Sequence, residues 1–202
     1  ADYYVLSLFL GALVAAAVGV IAWRRTATSM GRSLVVLMAS VFVWSLFAAL
    51  EAAVPATPAK IILSKIEYLG IASTPVLLFL LALKFSRSGS RPKGWRAAAL
   101  WIVPAVTFLL AATNEAHGLI WSGFSPAQGP GPHLLLYQHG PFFWVHVGYS
   151  YLLLFATTVL LLLSYFRYKG VHRKQAVALL LSFPLPWLGN ALYLAGLAGG
   201  DI

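Results

Sequence analysis

The chain has 202 residues, of which 60% are hydrophobic and only 9% are charged. A soluble domain carries about 25% charged residues and could not bury this much apolar surface, so we expect that surface to face lipid. The formal net charge of +9 does not indicate nucleic-acid binding, because the basic residues fall in short clusters between apolar runs.

Six apolar runs follow one another along the chain, at residues 4–23, 33–50, 61–83, 97–113, 142–166 and 176–197. Each run is about 17–25 residues long, which is the length of a helix that crosses a hydrocarbon core of about 30 Å. The runs are continuous rather than alternating, which excludes membrane-spanning strands. We therefore predict an all-α fold, a polytopic transmembrane helical bundle that forms one sensor domain over residues 1–202.

The distribution of charge predicts the orientation. Twelve of the 14 Lys and Arg residues lie in the loops after the first, third and fifth runs, and all five acidic residues lie towards the opposite ends. Cytoplasmic loops are enriched in Lys and Arg, so these three loops are predicted to be cytoplasmic. We expect a multi-pass protein of the bacterial inner (plasma) membrane, with its N-terminus outside the cell.

Proline residues interrupt several of the predicted spans. Pro75 and Pro104 lie inside the third and fourth runs, and each removes a backbone hydrogen bond, which favours a kink. Pro184 and Pro186 precede Asn190 in the sixth run, and we expect this pair to open a local gap.

The loop at residues 114–141 is the one long connection, and it contains no Lys or Arg. Its Gly-Pro pairs are typical of turns, and the apolar segments at residues 120–124 and 133–137 are predicted to pair as strands. We expect this short extracellular β-hairpin to cap the outer mouth of the bundle, because aromatic residues argue against a disordered connector.

Polar residues inside the spans gather in the outer half of the bundle. At helical spacing they form stripes on several spans, and such residues mark functional sites in membranes. We predict one outward-facing cavity beneath the loop, lined by Trp44, Glu51, Glu67, His146, Tyr149 and Asn190. Two alternatives stay open: Glu67 pairs with Lys60 or a neighbouring helix, and Asn190 makes a hydrogen bond between helices.

The histidines of the outer half do not match a strong metal-binding pattern. His117, His133, His139 and His146 have no zinc-like spacing, and the chain contains no cysteine. A pH-sensing role for one of them is favoured over a metal site. Nothing in the sequence indicates a catalytic motif, so we predict neither an enzyme nor a cofactor nor a metal site.

Several stretches together resemble a known family. They are residues 44–51, 65–75, 113–121, 139–149, 173–175 and 184–190. The chain resembles the N-terminal seven-transmembrane sensor region of bacterial histidine kinases and related signalling proteins. The resemblance implies an extracytoplasmic or intramembrane stimulus, a cytoplasmic kinase or similar output module, and a homodimer. The positions that it identifies are Glu51, Glu67, Tyr68, Pro75, Asn114, His117, Trp121, Trp144, Tyr149, Gln175 and Asn190. Since six spans return the chain to the outside, we expect a seventh span to follow Ile202.

Together these observations predict a receptor domain that binds a small amphiphilic or aromatic ligand and signals to a cytoplasmic histidine kinase. The alternatives are a small-molecule transporter or permease and an intramembrane enzyme, but the polar groups lie at one depth and no repeat is evident. The expected partners are the bilayer, a small-molecule or lipid ligand and a second copy of the chain, without nucleic acid. The predicted ligand-binding residues are Trp44, Glu51, Glu67, Tyr68, Asn114, His117, Trp121, His146, Tyr149 and Asn190.

Overall fold

The computed structural model of the chain describes residues 2–24, 28–86, 92, 94–126 and 135–182. Within these residues the chain forms seven α-helices and one two-stranded sheet. In chain order the elements are α1 (Asp2–Trp23), α2 (Ser29–Ala53), α3 (Thr57–Phe85), α4 (Trp95–Ala99), α5 (Ile102–Ala112), β1 (Trp121–Pro126), β2 (Leu135–His139), α6 (Pro141–Arg167) and α7 (Gly170–Ser182). A single 3₁₀ turn, Asn114–Ala116, separates α5 from β1.

The first five predicted spans are confirmed as helical segments that are long and apolar enough to cross a membrane. They are Tyr3–Trp23, Ser29–Ala53, Thr57–Phe85, Trp95–Ala112 and Pro141–Arg167. The sixth predicted span, residues 176–197, begins within α7 and continues outside the described residues. Leu6, Leu10 and Leu13 on α1 are 60–67% exposed, which suits a helix face that contacts lipid.

The fourth span is broken where the sequence predicts a kink. Helix α4 ends at Ala99 and α5 begins at Ile102. Pro104 has no backbone N–H, so it cannot donate to the carbonyl of Leu100 four residues earlier. The hydroxyl of Tyr149 on α6 donates to that carbonyl instead, at 2.6 Å. Pro75, by contrast, lies inside α3, which continues to Phe85.

Helix α3 is the most buried span and packs closely against α2. A Cβ atom added to Gly70 would lie only 2.6 Å from the backbone oxygen of Ser40 and the backbone nitrogen of Trp44. The hydroxyl of Ser40 donates to the carbonyl of Gly70 at 3.2 Å and lies 2.9 Å from the hydroxyl of Thr74. Small residues that admit a close backbone approach are typical of contacts between membrane helices.

The predicted hairpin is confirmed, although its strands begin and end at different residues from those predicted. Strands β1 and β2 are antiparallel, with Trp121 opposite His139 and Phe124 opposite Tyr137. β1 ends at Pro126 rather than residue 124 and β2 ends at His139 rather than residue 137, and the register is irregular between Trp121 and Gly123.

The hairpin is also joined to the start of α6. The backbone N–H of Gly140 donates to Ile120 O at 2.8 Å, and that of Phe142 donates to Leu119 O at 2.9 Å. A Cβ atom on Gly140 would collide with the carbonyl oxygens of Gly118 and Leu119, so this junction requires glycine. These contacts fix the hairpin over one end of the bundle, which we call the hairpin end.

Candidate functional site

The amide side chain of Asn114 shapes the segment that leads into the hairpin. Its Oδ1 accepts hydrogen bonds from the backbone N–H groups of Ile120 and Trp121, at 3.0 and 2.9 Å. Its Nδ2 donates to the carbonyl of Trp121 at 2.8 Å. Asn114 is buried, so these three bonds satisfy backbone groups that would otherwise lie unpaired away from water. The sequence predicts Asn114 as a ligand contact, and the structure shows that its side chain positions Trp121.

His117 is engaged in the same turn. Its Nδ1 accepts a hydrogen bond from the N–H of Leu119 at 3.0 Å, and its Nε2 lies 3.1 Å from the hydroxyl of Thr113. The ammonium of Lys65 on α3 lies 2.6 Å from both carboxylate oxygens of Glu115. This hydrogen bond from Lys65 lowers the pKa of Glu115 below its usual value. These contacts fasten the turn before β1 to α3.

Aromatic rings form one wall at the hairpin end. The ring of Tyr68 on α3 meets that of Trp121 on β1 edge to face, with centroids 5.1 Å apart. Trp121 in turn lies 5.6 Å from the ring of Tyr137 on β2, and Tyr68 lies 6.3 Å from the imidazole of His146 on α6. Tyr68, Trp121 and His146 are all buried. The structure therefore brings together three of the predicted ligand-binding residues, contributed by two helices and the hairpin.

A polar cluster adjoins this wall, and it consists of Glu51, Lys60, Ser64 and Tyr137. The ammonium of Lys60 donates to the backbone carbonyl of Glu51 at 2.6 Å and lies 3.5 Å from its carboxylate. The hydroxyl of Tyr137 donates to the same carboxylate at 3.1 Å and lies 2.6 Å from that of Ser64. The side chain of Lys60 is only 2% exposed, and a charge so deeply buried is stable only when it is paired.

Tyr137 links the hairpin to two helices through this cluster. Since its one hydroxyl hydrogen goes to Glu51, the Ser64 hydroxyl donates to the Tyr137 oxygen. Burial raises the pKa of Tyr137 well above its usual range, and the nearby carboxylate of Glu51 raises it further. Tyr137 is therefore a neutral hydrogen-bond donor at physiological pH.

Glu67 lies beside the cluster and bonds to the neighbouring helix. Its carboxyl group accepts a hydrogen bond from the side chain of Trp44 on α2 and lies near the carboxylate of Glu51. Of the two structural partners that the sequence left open for Glu67, the structure shows the neighbouring helix, because Lys60 pairs with Glu51 instead. Trp44, Glu51 and Glu67 thus meet at the hairpin end.

Two further predicted residues within the described part of the chain, Tyr149 and His146, lie on α6. The hydroxyl of Tyr149 bonds to Leu100, as described above. The Nε2 of His146 lies 3.5 Å from the hydroxyl of Ser150, and its Nδ1 has no hydrogen-bond partner among the described residues. Asn190 lies outside the described residues.

His139, at the end of β2, stacks on Phe143 at the start of α6. Their ring centroids lie 3.7 Å apart and the planes are nearly parallel. Burial lowers the pKa of His139 below 6.5. Within residues 2–24, 28–86, 92, 94–126 and 135–182, no three His, Asp or Glu side chains are placed to share a metal ion.

Lys60, Ser64 and Tyr137 were not among the predicted ligand contacts. Ser64 and Lys60 lie one and two turns before Glu67 on one face of α3, a spacing that is visible in the sequence. Tyr137 shares a strand face with Leu135 and His139 because side chains alternate along a strand.

The chain matches the family described as the N-terminal 7TM region of histidine kinase, over residues 7–201. No curated protein and no solved structure matches it.

Proposed function

Since the chain belongs to the family of N-terminal 7TM regions of histidine kinases, we propose that it senses a small amphiphilic or aromatic ligand at its hairpin end. This region is the membrane sensor part of such a protein and not its catalytic part. The output is a cytoplasmic histidine kinase or a similar module, and the intact protein acts as a homodimer.

The contact that carries this proposal is the hydrogen bond from Tyr137 to Glu51. It places a neutral phenol from the hairpin onto a buried ion pair held by two helices. Tyr68 and Trp121 add an aromatic wall beside that phenol. A ligand with a hydroxyl group on an aromatic or apolar body would make the same contacts as Tyr137 and would replace it.

The route from this cluster to the other end of the bundle follows α2 and α3. Tyr137 bridges Glu51 on α2 and Ser64 on α3, and the two helices approach closely at Gly70. At the opposite end, Lys84 of α3 bonds to Ser33 and to the carbonyl of Ser29 on α2. When a ligand replaces Tyr137, the helices tilt about the Gly70 contact, and their opposite ends move relative to the rest of the bundle.

The proposal requires that the hairpin faces outwards, as the basic loops predict. The chain has no cysteine, so single introduced cysteines report topology cleanly. In intact cells, Ser125→Cys in β1 should react with a membrane-impermeant thiol reagent. Ser88→Cys, in the basic stretch between α3 and α4, should be protected. The reverse pattern would contradict the orientation and with it the proposed direction of signalling.

Ligand binding is tested with a screen of aromatic and amphiphilic compounds by thermal shift on the purified protein. For a compound that stabilises the wild type, Glu67→Gln should weaken binding by about 1–3 kcal/mol, because an amide replaces the carboxyl group that contacts the compound. Tyr3→Phe is the control, since Tyr3 is 88% exposed and lies outside the cluster. Equal effects of the two variants would contradict a site beside Glu67. Transport of the compound into proteoliposomes would favour the permease alternative.

A further inference from the structure

Two carboxyl groups meet beside Tyr137, but only one of them is paired with a lysine. The ammonium of Lys60 lies 3.5 Å from the carboxylate of Glu51. The ammonium of Lys65 bonds to both carboxylate oxygens of Glu115, at 2.6 Å. Glu67 forms no ion pair within the part of the chain that the structure describes. Both lysines of the hairpin end are therefore committed to other acids.

The sequence contains no further lysine or arginine that could pair with Glu67. The other twelve Lys and Arg residues lie in the basic stretches at the opposite ends of the spans. Residues 127–134 and 183–202, which lie outside the described residues, contain neither Lys nor Arg. A carboxylate within a membrane span is costly unless a cation or water stabilises it. A ligand that carries a positive charge would supply the missing partner.

The carboxyl group of Glu67 is open to such a ligand. The side chain of Glu67 is partly exposed, and that of Glu51 beside it is 13% exposed. The side chain of Trp44 donates one hydrogen bond to Glu67, and a carboxylate has room for about four. An ammonium group can therefore bond to Glu67 without displacing Trp44.

The aromatic wall next to Glu67 suits the body of an amine. Tyr68 follows Glu67 on α3, and its ring lies 5.1 Å from that of Trp121. Aromatic rings attract ammonium groups as well as apolar bodies. The ring of Tyr68 also lies 6.3 Å from the imidazole of His146, whose buried Nδ1 has no partner among the described residues. An unpartnered buried nitrogen is an independent indication that a further group belongs at this wall.

We propose that the ligand sensed at the hairpin end is a phenolic amine. Its ammonium pairs with Glu67, its ring lies against Tyr68 and Trp121, and its phenol takes the place of Tyr137 at Glu51. This inference rests on the function proposed above, and it adds the charge of the ligand. A neutral or acidic amphiphile would leave Glu67 without a cation.

The test compares three phenols that differ in one group. Tyramine, tyrosol and 4-hydroxyphenylacetate carry an ammonium, a hydroxyl and a carboxylate on the same phenol. Isothermal titration calorimetry on the purified chain measures the affinity of each. We expect tyramine to bind at least about tenfold more tightly than tyrosol, because a hydrogen bond between charged groups is stronger than one between neutral groups. 4-Hydroxyphenylacetate should bind most weakly, since its charge repels the two carboxyl groups.

The preference for tyramine over tyrosol should disappear in Glu67→Gln. Thermal unfolding in detergent shows whether this variant is folded, and the comparison of the three phenols on the wild type does not depend on it. Tyr3→Phe is the control, because Tyr3 is 88% exposed and lies outside the cluster, and it should keep the wild-type preference.

Two results would overturn the inference and leave the proposed function standing. Equal binding of tyrosol and tyramine to the wild type would show that the site recognises a phenol whatever its charge. A preference for tyramine that persists in folded Glu67→Gln would place the ammonium elsewhere. If none of the three phenols binds, both the inference and the replacement of Tyr137 by a ligand phenol are contradicted.

Discussion

Replacement of Tyr137 by phenylalanine isolates the contact between the hairpin and the bundle. The change removes one hydroxyl, which donates to Glu51 at 3.1 Å and accepts from Ser64 at a separation of 2.6 Å. A hydrogen bond to a charged group contributes about 1.5–3 kcal/mol, and about 1.4 kcal/mol corresponds to a tenfold change in an equilibrium constant. The ring stays, so its contacts with Trp121 and Phe124 are retained. We therefore expect the hairpin to open about 10- to 100-fold more often.

Amide hydrogen exchange measures this opening directly. Peptides that cover β2 should exchange faster in Tyr137→Phe by that factor, whereas peptides from the middle of α3 should not change. Tyr3→Phe is the control, because Tyr3 is 88% exposed and has no hydrogen-bond partner among the described residues. If β2 exchanges at the same rate in wild type and Tyr137→Phe, the hydroxyl does not hold the hairpin and the reasoning is refuted.

Three further predictions concern residues around the site. Asn114→Ala should destabilise the fold by roughly 3 kcal/mol or more, because it leaves three buried backbone groups without partners, and thermal unfolding in detergent measures this. Acidification from pH 7 to roughly pH 5.5 should loosen the hairpin. His139 takes up a proton more readily in the unfolded state than in the folded state, because burial lowers its pKa in the folded state. His139→Phe should therefore remove the pH dependence of amide hydrogen exchange in β2. Tyr149→Phe should lower the free energy of unfolding by about 1–3 kcal/mol, because it leaves the Leu100 carbonyl without its donor. It should not change ligand affinity, and a loss of affinity would show that Tyr149 is a ligand contact.

Hydropathy and charge were enough to predict the bundle, because a bilayer admits so few structures. Each span must satisfy its own backbone hydrogen bonds, so a long apolar run predicts a helix with little ambiguity. The break near Pro104 was predictable on the same ground, since proline removes a specific bond. The donor that replaces this bond, Tyr149, comes from another helix, and the sequence contains no signal that pairs it with Leu100.

The candidate site likewise contains features that the sequence predicts and contacts that it does not. Helical spacing predicts that Lys60 and Glu67 share a face of α3, but it does not indicate which acid pairs with Lys60. That choice depends on how the turn between α2 and α3 places the end of α2, where Glu51 lies. The aromatic residues of the loop predicted that it caps the bundle. They did not predict the bond of Tyr137 to Glu51, because these two residues lie 86 positions apart in the chain. Asn114 and His117 were predicted as ligand contacts, and their bonds to nearby backbone groups depend on loop geometry that spacing does not reveal.

The most direct test of the account measures the output that we propose for this domain, by joining it to a histidine kinase module. Autophosphorylation is compared in lipid nanodiscs for wild type, Tyr137→Phe and Tyr3→Phe. A loss of about 1.5–3 kcal/mol at the hairpin shifts the balance between docked and open states, so the account predicts at least a threefold change for Tyr137→Phe and none for Tyr3→Phe. Unchanged autophosphorylation in Tyr137→Phe, in a variant whose hairpin exchanges faster, would contradict the claim that the hairpin end is the input site.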